Sequence, residues 1–137
     1  MVRHLQTIER DDELFEAAAK AQARAYAPYS NFQVGAALAF ADGSVVTGSN
    51  VENVSFGLTL CAERTALVKA VSDGMREFIA LAVVGGDQTP AAPCGACRQV
   101  LAEFCAPDMP VFYARLTGGQ SIATTLGALL PQAFVKT

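Results

Sequence analysis

The chain of 137 residues is long enough to bury a core of its own, and we expect residues 1–137 to form a single domain. Hydrophobic residues make up 52% and charged residues 17%, which excludes a disordered chain, and the net charge of −3 without any Lys/Arg cluster disfavours a nucleic-acid partner. Mean hydropathy is high at +0.30, yet the longest apolar run, residues 78–86, is too short to cross a bilayer. The charged N-terminal segment lacks the apolar core of a signal peptide. We therefore expect a cytoplasmic protein with no membrane partner, whose surplus apolar surface is buried in an oligomer.

The first third of the chain predicts one helix and one hairpin. Apolar spacing predicts a helix over residues 11–26, which ends before Pro28. A run of small apolar residues over 32–40 predicts a buried strand. Asp42-Gly43 predicts a type I′ turn, in which both central residues have positive φ, followed by a returning strand over 45–51.

The remaining segments alternate between helices and strands. The pattern predicts helices over 61–71, 94–104 and 125–130, strands over 78–84, 111–116 and 121–123, and a turn over 117–120. This order predicts an α/β fold with a mixed five-stranded sheet and helices on both faces.

Three cysteines have the spacing of a metal site. Cys61 begins one predicted helix, and Cys94 and Cys97 form a C-x-x-C motif at the start of another. Three thiolates fill three corners of a zinc tetrahedron and leave the fourth open for water, as in catalytic sites. The only histidine, His4, lies near a terminus, and Cys105 lies roughly 12 Å farther along the helix axis than Cys97. The pattern therefore indicates an open, catalytic zinc site, with Cys105 in the core.

Charged residues follow these cysteines closely. Glu63 shares the first helical turn with Cys61, so its carboxylate can act as the base for a zinc-bound water; a solvated first-turn glutamate is the alternative. Arg64 and Arg98 are placed to offset the negative charge of the thiolates, unless they are ordinary surface arginines.

Two groups of motifs resemble a known family. The segments CAER at 61–64 and PCGACRQ at 93–99 resemble the zinc nucleoside deaminases. The segments APYSNFQVGAAL at 27–38 and NVEN at 50–53 look like the small homotetrameric cytidine deaminases. The resemblance implies a three-layer α/β/α cytidine deaminase-like fold, one Zn²⁺ per subunit held by the three cysteines, and a homotetramer whose active sites are shared between subunits.

The resemblance also implies roles in binding and proton transfer. Glu63 would shuttle protons, and the backbone N–H of Ala62 would hold the pyrimidine O2. Asn50 and Glu52 would reach the 3′-hydroxyl of the ribose, which agrees with alternate strand residues projecting to one face. A polar loop at a strand end is the alternative for this pair.

Three phenylalanines complete the implied site. Phe32 would contact the base, although a core aromatic is the alternative. Phe134 would pack on the pyrimidine in a neighbouring subunit's site, although it could instead cap the last helix. Phe56 stands where the family often has tyrosine, which removes a hydroxyl near the sugar.

The implied function is the hydrolytic deamination of cytidine and 2′-deoxycytidine, in pyrimidine salvage. One alternative is a deaminase of a cytidine-like antibiotic such as blasticidin S, but the NVEN segment favours the free nucleoside. A polynucleotide-editing enzyme is disfavoured by the acidic balance. A non-enzymatic zinc-stabilised binding module would require four protein ligands, and three are evident.

Overall fold

A computed structural model describes residues 2–86, 90–115 and 121–136, with side chains from residue 12 onward. Five strands form one sheet in the order β2-β1-β3-β4-β5: β1 (Val34–Phe40), β2 (Val45–Ser49), β3 (Phe78–Gly85), β4 (Pro110–Ala114) and β5 (Ile122–Thr125). Strands β3 and β4 are parallel, and the other neighbouring pairs are antiparallel. The helices are α1 (Val2–Gln22), α2 (Ala62–Ser72), α3 (Gly95–Phe104) and α4 (Leu126–Leu129). The predicted mixed five-stranded sheet is confirmed.

The helices lie on both faces of the sheet, because alternate residues of its central strands are buried on opposite sides. Helix α1 packs Leu14 and Ala18 on the face that carries Ala37 and Ala82. Helices α2, α3 and α4 cover the other face, where a larger core contains Leu38, Leu67, Leu81, Val83, Leu101, Val111 and Leu126. The three predicted layers are therefore present.

Two glycines allow the helices to lie against the strands. A Cβ on Gly35 of β1 would lie 2.0 Å from the carbonyl oxygen of Ala18 in α1. A Cβ on Gly48 of β2 would lie 2.4 Å from the backbone nitrogen of Ala66 and 2.7 Å from the carbonyl oxygen of Ala62 in α2. Backbone atoms cannot swing aside as side chains can, so Gly48 determines how closely α2 approaches the sheet.

Several element bounds differ from the sequence prediction, and after α1 the chain bonds to remote backbone groups in place of a further helical turn. Helix α1 begins at Val2 rather than at residue 11 and ends at Gln22 rather than at residue 26. Tyr26 instead donates its N–H to the carbonyl of Asn50 at 3.0 Å, and its own carbonyl accepts the N–H of Glu52 at 2.9 Å. Strand β1 begins two residues later than predicted and β2 ends two residues earlier, both near these bonds of Tyr26. The 3₁₀ turn at Phe56–Leu58 was not predicted.

The β1–β2 hairpin is confirmed, but its predicted type I′ turn is wrong. Of the two central residues predicted to have positive φ, only Gly43 does, at 91°. Its N–H donates to the carbonyl of Phe40, and the N–H of Phe40 donates to the carbonyl of Ser44. These bonds close a three-residue loop, in which a glycine with positive φ follows an ordinary turn. The turn predicted over residues 117–120 lies outside the described residues.

No helix in the described ranges combines the length and the apolar character needed to cross a membrane.

Candidate active site and metal centre

Three thiols converge where α2 and α3 begin. Cys61 is the N-cap of α2, Cys94 is the N-cap of α3, and Cys97 lies in the first turn of α3. Their Sγ atoms all lie within 4.8 Å of one another, with Cys61–Cys94 at 3.7 Å and Cys94–Cys97 at 3.2 Å. The corners of a zinc tetrahedron with bonds of about 2.3 Å lie roughly 3.8 Å apart, so this three-thiol group fits one zinc ion. Cys105 lies apart from it in the core, where burial raises the pKa of its thiol to about 12.

The surroundings of the three-thiol group lower the pKa of the Cys61 thiol, whereas the hydrogen bond with Cys61 and burial raise the pKa of the Cys97 thiol. Both N-caps lie at the positive ends of helix dipoles, and the N–H of Cys97 donates to the sulfur of Cys94 at 3.4 Å. Arg64 donates from Nη2 to the sulfur of Cys61 at 3.6 Å and to the carbonyl of Thr59 at 3.4 Å. The hydrogen bond from Cys97, with a smaller contribution from Arg64, lowers the pKa of Cys61 to about 5.

Arg98, which the sequence placed to offset the charge of the thiolates, makes its described side-chain hydrogen bonds to backbone carbonyls. Its Nε donates to the carbonyl of Pro93 at 2.7 Å, and its Nη1 donates to the carbonyl of Leu129 at 2.8 Å. The guanidinium is turned toward these carbonyls, so it joins the segment before Cys94 to the end of α4. The neighbouring Gln99 donates from Nε2 to the carbonyl of Phe134 at 2.9 Å, which attaches the C-terminal segment to the same helix.

Glu63 is a buried carboxyl beside the thiols. It is the second residue of α2, and only 4% of its surface is exposed. Burial is the largest cause that raises its pKa to about 7. A carboxyl with a pKa near neutrality is suited to accept a proton and to release it again.

A cavity of about 200 Å³ opens in front of these groups and is here called the inner cavity. It contains six of the residues that the sequence singled out: Phe32, Asn50, Cys61, Ala62, Glu63 and Cys94. Five further lining residues were missed: Val34, Thr59, Val83, Ala91 and Ala92. Val34 lies within the segment 27–38, and Thr59, Ala91 and Ala92 lie within two residues of a site motif, whereas Val83 has no motif near it. None of the five side chains carries a titratable group.

Asn50 and Glu52 hold the loop of residues 29–34 at the rim of this cavity. The buried Asn50 amide donates to the carbonyl of Phe32 and accepts the N–H of Val34, both at 2.8 Å. One oxygen of Glu52 accepts the N–H of Tyr29 at 2.9 Å and the N–H of Ser30 at 3.1 Å, and the other accepts the Ser30 hydroxyl. The Ser30 hydroxyl is the largest cause that lowers the pKa of Glu52. An amide and a carboxylate retain further capacity for a ligand, because each can make more hydrogen bonds than these.

Glu52 itself lines a second cavity of about 320 Å³, the outer cavity. Thr59 lines both cavities, so they adjoin. Phe56 lies in the outer cavity and packs edge-to-face with Tyr29 at 6.3 Å between ring centroids. Phe56 therefore lies on the same side of the site as Glu52.

The exposed aromatics Phe32 and Phe134 occupy different places. Phe32 is 46% exposed and lines the inner cavity, which contradicts the core alternative. Phe134 is 87% exposed and does not line the inner cavity of its own chain. Its ring is therefore available for contact with groups outside this chain.

Comparison with known proteins gives concordant results. Residues 8–113 match the cytidine and deoxycytidylate deaminase zinc-binding region. The cytidine deaminase of Halalkalibacterium halodurans is 55% identical over 88% of this chain and 91% of that protein. A crystal structure of cytidine deaminase from Burkholderia pseudomallei superimposes with a TM-score of 0.86 at 54% identity, covering 90% of this chain and 98% of that one. The blasticidin-S deaminase of Bacillus cereus is 28% identical over 93% of this chain and 94% of that protein.

Proposed function

The chain belongs to the cytidine and deoxycytidylate deaminase family, and we propose that it hydrolyses cytidine and 2′-deoxycytidine to the corresponding uridines and ammonia. The observation that carries this proposal is the meeting of a three-thiol group and a buried carboxyl at one cavity. The zinc-binding region of the family supports zinc as the cofactor, and Cys61, Cys94 and Cys97 would hold it.

Glu63 moves the protons in this reaction. Zinc held by the three thiols would lower the pKa of water at the site toward about 7 and would so supply a nucleophile at neutral pH. The Glu63 carboxylate takes the proton of the attacking water and delivers it to N3 of the pyrimidine. It then carries the second proton to the departing amine, so one water is consumed and one ammonia is released. The near-neutral pKa of this buried carboxyl supports the repeated exchange.

The elements around the inner cavity orient the nucleoside. Ala62 is the first residue of α2, so its N–H has no acceptor within the helix and is available to the pyrimidine O2. Phe32 lines the same cavity and offers its ring to the base. Asn50 and Glu52, at the adjoining rim, bind the 3′-hydroxyl of the sugar.

Phe134 and an exposed apolar surface support a homotetramer with shared sites. The connection between β2 and α2 exposes Val54, Phe56 and Leu58. Large exposed apolar side chains that cluster in this way mark interaction surfaces. In such an assembly Phe134 would pack on the pyrimidine in a neighbouring subunit.

The named relatives favour this substrate over the alternatives. Relatives at 53–55% identity are cytidine deaminases, whereas the blasticidin-S deaminase is only 28% identical. The described residues contain a metal-binding group of three ligands and not four, which disfavours a purely structural zinc. The reaction belongs to cytoplasmic pyrimidine salvage in this proposal.

One set of assays tests the function. The zinc-loaded protein should deaminate cytidine and deoxycytidine, but neither cytosine nor blasticidin S, as followed by the loss of absorbance. Glu63→Gln should keep zinc and fold but lose at least about 100-fold in kcat, the lower range for general acid–base catalysis. Glu103→Gln, an exposed carboxylate on α3, is the matched control and should leave kcat unchanged. More than a tenth of the wild-type rate in fully zinc-loaded Glu63→Gln would contradict the role of Glu63.

A further inference from the structure

Ser30 connects two groups that lie on different sides of the nucleoside site. Its hydroxyl donates to a carboxylate oxygen of Glu52 and accepts the N–H of Phe32 at 3.0 Å. Its own N–H donates to the other oxygen of Glu52, beside the N–H of Tyr29. One serine therefore bonds both the carboxylate proposed for the sugar and the backbone of the aromatic residue proposed for the base.

The turn that presents Phe32 has a conformation that needs support. Asn31, between Ser30 and Phe32, has a φ of 58°, a region that non-glycine residues seldom occupy. The N–H of Asn31 donates to the carbonyl of Ala27 at 3.0 Å. The Ser30 hydroxyl and the Asn50 amide bond the N–H and the carbonyl of Phe32. Because positive φ costs free energy, these bonds stabilise the turn, and the one from Ser30 acts directly at the residue that carries the ring.

We propose that Ser30 is a positioning residue that sets Glu52 and Phe32 relative to each other, so that the sugar and the base of the nucleoside are bound together. The inference rests on the proposed roles of Glu52 and Phe32, and it requires no contact between Ser30 and the substrate. The lowered pKa of Glu52, whose largest cause is the Ser30 hydroxyl, agrees with a carboxylate that is kept ionised for its ligand.

Ser30→Ala should raise the KM for cytidine by about tenfold and change kcat by less than about threefold. The removed bond is charge-assisted, and its loss affects binding rather than proton transfer. Zinc content should match the wild type, because the loop of residues 29–34 holds no metal ligand. Ser30→Thr, which keeps a hydroxyl, should restore most of the affinity. Ser44→Ala is the matched control: its hydroxyl bonds the Asp42 carboxylate at 2.6 Å in the β1–β2 turn, and its loss should leave KM unchanged.

Comparing cytidine with 3′-deoxycytidine separates this inference from the assignment of Glu52. Both Glu52→Gln and Ser30→Ala should weaken cytidine binding more than they weaken binding of the analogue, which lacks the hydroxyl. If Glu52→Gln distinguishes the two nucleosides and Ser30→Ala does not, the positioning role is wrong and the sugar assignment stands. If neither variant distinguishes them, the sugar assignment is wrong and the inference fails with it.

Discussion

Replacing Gly48 with alanine should displace α2 and lower kcat. The fall in kcat should be much larger than in a variant that is equally destabilised at a site remote from α2. The new Cβ would meet backbone atoms of Ala62 and Ala66, which cannot rotate away. Widening the 2.4 Å approach to the 3.4 Å of an ordinary contact requires about 1 Å of movement between β2 and α2. Overpacking of this kind costs about 1–3 kcal/mol of the free energy of unfolding. Since α2 carries Glu63 while α3 carries two of the three thiols, the same shift misplaces the carboxyl, and about 1 Å of misplacement lowers a catalytic rate roughly 100-fold.

The test compares Gly48→Ala with a variant that is destabilised elsewhere. Gly43→Ala is suitable because its φ of 91° strains any other residue, while nothing lies within 4 Å of the added Cβ. That strain costs roughly 1–2 kcal/mol without moving α2. Urea unfolding should show comparable losses of stability in both variants, whereas kcat for cytidine should fall only in Gly48→Ala. If folded Gly48→Ala retained wild-type kcat and zinc content, the sheet would move in place of α2, and Gly48 would not control the position of Glu63.

Three further predictions concern the metal centre and the neighbouring subunit. Replacing any one cysteine of the three-thiol group with alanine should lower the zinc content found by metal analysis, whereas Cys105→Ala should leave it unchanged. An equal loss of zinc in Cys105→Ala would instead indicate a closed four-thiolate site. Arg64→Gln should release zinc to a chelator faster than the wild type, because it removes the cation that contacts the sulfur of Cys61 at 3.6 Å, and an unchanged release rate would argue against that role. Mixing Phe134→Ala subunits with Glu63→Gln subunits should recover more activity than the two parents together, because some sites then combine an intact carboxyl with an intact neighbouring ring. A monomer by light scattering, or no recovery after subunit exchange, would exclude shared sites.

The parts of the site that were predictable are those set by short-range geometry. The C-x-x-C motif places Cys94 and Cys97 within one helical turn, and Cys61 and Glu63 likewise share the start of α2. The apolar runs of β1 and β3 similarly indicate buried strands, because a short run of apolar residues between turn signals is a local feature of the sequence.

The parts that were not predictable depend on groups far apart in the chain. The end of α1 is decided by Tyr26 bonding to Asn50, and the start of β1 by the Asn50 side chain bonding to Phe32 and Val34. Arg98 adjoins a metal ligand in sequence, yet its guanidinium reaches Leu129 in the last helix. A local sequence pattern does not specify which distant carbonyl accepts a given hydrogen bond.

The sequence by itself determined the chemistry of this protein: the thiols that suit zinc, the carboxyl beside them and the order of helices and strands that supports them. Only the tertiary structure decided that Cys61 approaches Cys94 to 3.7 Å across 33 residues of chain, and that Glu63 is buried where its pKa rises to about 7. The physical reason is that residue type and local spacing specify which atoms are able to react. Their separation and solvation depend on how α2 and α3 pack against the shared sheet, and at Gly48 that packing is determined by the absence of a single methyl group.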